Sequence, residues 1–117
     1  MTPEQCLASY RRSLDRVGED IIIRRYTGAG TSRPKFDATV RGRVIEYLPK
    51  ELVGTIQQGD RKLIILADDL VTAGFSLPLR KGDKAVVRGK ELNIEAPDDN
   101  TRRVQGVLIA YELQCRG

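Results

Sequence analysis

The chain has 117 residues, 40% hydrophobic and 31% charged, a globular balance that excludes disorder and a coiled coil and allows one domain with a real core. Aromatic residues are only 5% and Trp is absent, so the core rests on Val, Ile and Leu, and stacking surfaces for bases or sugars are few. The net charge is +4, and its excess lies early: nine Lys/Arg against five Asp/Glu up to Ile45, then eleven of each. Such a bias suits DNA, an acidic protein surface, or simply a solvated basic face.

Thr2-Pro3-Glu4-Gln5 reads as a helix start, with Thr2 as cap, Pro3 at the first helical position and Gln5 completing a capping box. Cys6, Tyr10, Leu14 and Val17 recur at helical spacing while Arg11, Arg12, Asp15 and Arg16 lie off that stripe. The helix is expected over 3–17, closed by Gly18, with its apolar stripe on a sheet or a neighbouring subunit.

Asp20 to Tyr26 is β-branched and strand-like, and residues 27–34 (TGAGTSRP) have loop composition. A second strand is expected over about 38–48, with Val40 and Val44 on one face, Arg41, Arg43 and Ile45 on the other, and Gly42 marking a bulge or a close backbone approach. Pro49 ends it. Residues 50–60 (KELVGTIQQGD) fit neither period, and long connections of this kind inside a compact domain tend to be functional or disordered.

Arg61 to Ala67 is a continuous apolar run typical of a buried strand. A turn or short helix follows from Asp68 towards Pro78. Two strands, 84–88 and 91–96, are expected around a reversal at Gly89-Lys90, and a last one over 103–115 alternates Val107, Ile109, Tyr111, Leu113 and Cys115 against polar neighbours. The fold class is therefore mainly β: a small barrel or sandwich of about six strands with a short N-terminal helix, one domain over 1–117.

Chemistry is sparse. No His is present, no Ser or Cys sits in a nucleophile motif, and the acidic pairs Asp68-Asp69 and Asp98-Asp99 fall where turns favour Asp. Gly28-Ala29-Gly30 lacks the Lys-Ser/Thr and helix of a phosphate loop. Neither an enzyme nor a cofactor is expected. Two thiols without His do not complete a zinc site, so Cys6 and Cys115 read as reduced small hydrophobes, with a disulfide between helix and last strand as the alternative. No apolar run reaches the roughly 20 residues of a membrane span, and the N-terminus lacks the signal-peptide pattern, so the expected compartment is the cytoplasm or an assembled particle.

Two binding readings remain. Arg24, Arg25, Arg33, Lys35, Arg41 and Arg43 lie on two strands and the loop between them and suit a phosphate-binding stripe, with Tyr26, Phe36 and Tyr47 as the available stacking rings. This is the rival reading, an OB- or SH3-like nucleic-acid-binding barrel. The other reading centres on residues 50–60, where Leu52, Val53 and Ile56 sit among glycines, a pattern suited to a partner-binding loop or to an excursion folded over the barrel end.

The capped helix, the β-rich body, ELVGTIQQGDRKLIILADDL (Glu51 to Leu70) and LRKGDKAVVRGKELNIEAPDDNTRRVQGVLIAYEL (Leu79 to Leu113) resemble the small head–tail connector proteins of tailed phages and prophages, specifically the head-closure (stopper) and head-completion group. The resemblance covers most of the chain and rests on turn-and-strand patterns. It implies a virion protein without chemistry of its own, monomeric when free, forming a homo-oligomeric ring beneath the portal or its adaptor that retains packaged DNA and docks the tail. It further implies that Leu52, Val53, Gly54, Ile56, Gln57, Gln58 and Gly59 gate the channel or dock on the adjacent ring, and that Arg24, Arg25, Arg41 and Arg43 contact DNA or neighbouring subunits. The tail terminator, also small and β-rich, is the alternative within that class.

Overall fold

A computed structural model describes residues 2–27, 35–46, 59–98 and 102–117. Helix α1 spans Pro3–Val17 as expected: Gln5 N donates to Thr2 Oγ1 at 3.1 Å and Thr2 N donates to Gln5 Oε1 at 2.9 Å, closing the capping box. At its other end Gly18 N donates to Leu14 O at 2.8 Å. Gly18 has an extended backbone, so its need for glycine is spatial: a Cβ there would lie 2.5 Å from Leu14 O and 2.8 Å from Gly42 O.

Strands β1 (Glu19–Tyr26), β2 (Lys35–Glu46), β3 (Arg61–Leu66), β4 (Lys84–Val87), β5 (Lys90–Asp98) and β8 (Ala110–Arg116) form a closed antiparallel barrel in the order β1-β2-β3-β8-β5-β4. A separate hairpin pairs β6 (Arg103–Val104) with β7 (Val107–Leu108), and helix α2 (Ala67–Thr72) follows β3 directly. The long β2 serves two neighbours, pairing with β1 up to Gly42 and with β3 from Gly42 onward. Gly42 marks that handover. A Cβ on it would lie 2.7 Å from Ile21 Cδ1, 2.8 Å from Ile65 Cγ2 and 3.0 Å from Ile64 O, so of the two sequence readings, bulge or close approach, the second holds.

Period-two alternation fills the barrel. Ile21 and Ile23 of β1, Ala38 and Val40 of β2, Leu63 and Ile65 of β3, Ala85 and Val87 of β4, Leu92 and Ile94 of β5, and Tyr111, Leu113 and Cys115 of β8 all point inward and are buried. Closure removes the edge strands that an open sheet would expose. One end is filled by Ala67 and Leu70 of α2 together with Phe75 and Leu79 of the segment that follows. On the outer wall, Leu14 of α1 packs with Leu66 and Ala110, flanked by Leu7, Tyr10 and Ile64. Burying Leu14 contributes about 1.5–3 kcal/mol, which explains why the amphipathic helix lies on the barrel.

Several boundaries differ from expectation. The single last strand over 103–115 is instead β6, a turn at Gln105-Gly106 with positive φ at both residues, β7, and then β8. The period-two pattern runs straight through that break, which is why the alternation hid it. The reversal between β4 and β5 falls at Arg88-Gly89 (φ 51° and 81°) rather than Gly89-Lys90, because Val87 pairs with Lys90 across a two-residue turn. The second strand begins at Lys35, not 38, and its expected end at 47–48 lies outside the described residues. Ala67 opens α2 instead of ending β3.

Candidate functional site

Of the mid-chain residues singled out from the sequence, Leu52, Val53, Gly54, Ile56, Gln57 and Gln58 lie outside the described residues. Gly59 is described: its φ of 95° turns the chain into Asp60, and beyond its chain neighbours no atom of the described residues lies within 4 Å of where its Cβ would be. Asp60 itself is buried, accepting from Gln114 Nε2 at 3.0 Å and from Arg116 Nε and Nη2 at 2.9 Å each. Asp60 therefore ties the residue before β3 to the end of β8.

The four arginines do not form one patch. Arg24 points outward from β1 between two carboxylates, donating to Asp37 at 2.8 and 3.1 Å and to Glu91 at 3.0 Å. Asp37 raises the Arg24 pKa, and Arg24 in return holds the Asp37 carboxyl below its ordinary range. Glu91 is also held low, first by the Tyr26 hydroxyl, which donates to it at 2.7 Å, and then by Arg24.

Arg25 has the opposite side of β1 and closes the end of the barrel. It donates to both oxygens of buried Asp83 at 2.9 and 2.8 Å, to Ser76 O at 2.8 Å and to Pro78 O at 3.1 Å, and its guanidinium lies 4.7 Å over the Phe75 ring. Asp83 also accepts from Arg80 N at 2.9 Å, so one carboxylate ties β1 to the 75–83 segment. Arg41 reaches from β2 to the end of α1, donating through Nε to Leu14 O at 3.1 Å, with a weaker 3.3 Å contact to Asp20. Arg43 alone of the four is exposed with no ion-pair partner among the described residues.

The proposed stacking rings are also dispersed. The Tyr26 hydroxyl is engaged with Glu91, Phe36 is exposed but tilts against Phe75 at 5.8 Å between centroids, and Tyr47 lies outside the described residues. Among the described residues no group of three His, Cys, Asp or Glu side chains is placed to hold a metal, and no helix is long and apolar enough to cross a membrane.

One surface escaped the sequence reading. Between the start of α1, α2 and the β6–β7 hairpin lies an open, mainly apolar groove of about 320 Å³ lined by Pro3, Leu7, Val71, Leu77, Val107 and Leu108 with Glu4 and Asp68 at its edge. Val71 and Val107 are among the few large apolar side chains left exposed. Arg11 bridges α1 to α2 beside it, 2.6 Å from Asp68 and 3.0 Å from Asp69. The turn-like Asp68-Asp69 pair is thus the acidic first turn of α2, and a groove assembled from three distant segments leaves no local sequence signal.

The fold and these surfaces define a class: a small closed β-barrel with an outer helix. Comparison with protein-family models finds no match, and comparison with curated proteins finds none at a significant level.

Proposed function

We propose that this protein is a structural component of a tailed-phage or prophage head–tail joint, a ring-forming stopper or head-completion protein that closes the DNA-filled head and docks the tail. The observation that carries the reading is the resemblance running through Leu79 to Leu113, whose residues supply β4, β5, the β6–β7 hairpin and most of β8. On this reading the chain performs no catalysis and its location is the virion. Its partners are the portal or adaptor ring, tail proteins and further copies of itself. Leu52, Val53, Gly54, Ile56, Gln57, Gln58 and Gly59 are the gating or docking residues.

The internal pairing of the arginines bears on the rival nucleic-acid-binding reading. Guanidinium groups already held by Asp37, Glu91, Asp83 and Leu14 O release few counterions from a phosphate backbone. Among the four candidates, Arg43 is the one whose charge is free for DNA or a neighbouring subunit. The test is binding of the purified protein to DNA-filled heads that lack it. Retention on those heads with protection of the packaged DNA is expected. Tight binding to naked DNA with a steep salt dependence, and none to heads, would overturn the proposal in favour of the rival.

A further inference from the structure

The two ends of α1 carry different surfaces. At its start is the apolar groove, with exposed Val71 and Val107 and with Glu4 and Asp68 at its edge; Arg11 beside it is held by Asp68 and Asp69, so this end is net acidic. At its finish Val17 is exposed on half of its surface; its chain neighbour Arg16, and Arg12 one turn earlier on the same face as Arg16, are exposed without partners among the described residues. Arg43 adds to this end, because Gly18 sits against Gly42 O one residue before it. Asp15 is the opposing charge there, and Asp20 is in contact with Arg41. The two surfaces are separated by about 20 Å of helix.

From the opposite net charges and the exposed apolar side chains at the two ends we infer that the groove receives the Val17 end of α1 from a second copy of the chain. The contact is heterologous: Val17 of one copy enters between Val71 and Val107 of the next, and Arg16 faces Glu4. A heterologous contact uses two different patches on each copy, and such contacts close into rings when the rotation permits. A cavity of about 320 Å³ is at the small end for an organic ligand and suits an aliphatic side chain with its neighbours. The inference names the copy-to-copy surface of the ring proposed above and rests on that reading for closure into a ring.

The test is a disulfide between copies in a Cys6→Ser background, with Val17→Cys and Val71→Cys made in separate proteins. Both positions are exposed, so neither change disturbs the core. Mixed proteins, at high concentration and again on DNA-filled heads, are expected to form the mixed disulfide at least tenfold faster than either protein alone. Arg16→Glu should slow it several-fold, and Glu4→Lys added to the partner should restore it. Equal rates of homodimer formation, or no disulfide in either setting, overturn the inference. Protein that binds heads without this cross-link leaves the connector reading standing and removes the contact. Protein that cross-links but does not bind heads does the reverse.

Discussion

Removing the Asp83 carboxylate separates an arginine that holds the barrel together from one that holds a nucleic acid. The Arg25 and Asp83 side chains are 13% and 6% exposed and share two hydrogen bonds of 2.9 and 2.8 Å. Breaking a buried pair from one side costs about 3–5 kcal/mol, because the remaining charge stays out of water. Asp83→Ala leaves Arg25 with Ser76 O, Pro78 O and the Phe75 ring, which places the loss at the low end, about 3 kcal/mol. For a domain of this size that is a fall in Tm of roughly 12 °C. Arg25→Met should cost a similar amount, since among the described residues the Asp83 carboxylate then keeps only Arg80 N, and the double variant should lose clearly less than the sum of the two. Thermal and urea melts followed by circular dichroism provide the measurement. A loss under about 1 kcal/mol for each single variant is what an exposed pair gives, and it would refute the structural assignment of Arg25.

Gly42→Ala should destabilise by about 1–3 kcal/mol, against the usual small gain of a Gly→Ala change, because the new Cβ meets the Ile64 carbonyl as well as Ile21 and Ile65. An unchanged urea midpoint would contradict the close approach of β1, β2 and β3. Cys115 faces the barrel interior, and burial, followed by the negative charges of Asp60 and Glu95, pushes its thiol up to about 12. Its folded pKa lies above the unfolded value, so its contribution to stability is full below about pH 8.5 and is lost as pH rises towards 12. A thiol reagent at pH 8 should therefore label Cys6 in the folded protein and Cys115 only at the rate of unfolding. Equal labelling rates would place Cys115 elsewhere.

What was legible in the sequence was local. The Thr2–Gln5 capping box and the end of α1 follow from neighbours three or four residues apart, and β3 follows from one unbroken apolar run. Alternation placed the inward residues of β8 correctly but concealed the Gln105-Gly106 turn, whose signal was a single glycine inside a continuing period of two. The partners of the arginines were not legible, because Arg25 meets Asp83 58 residues away and Arg24 meets Glu91 67 residues away. Asp60 ends the 50–60 segment that fits neither period and Asp83 lies just before β4, and only the closed barrel reveals them as buried carboxylates at Arg116 and Arg25. The groove drew on Pro3, Val71 and Val107, which no periodicity connects.

Electron micrographs of particles assembled without this protein decide the proposed place at the head–tail joint. Filled heads that lose their DNA and stand apart from finished tails of normal length are expected. Intact, infectious tailed particles would contradict it, and so would overlong tails, the mark of a missing terminator.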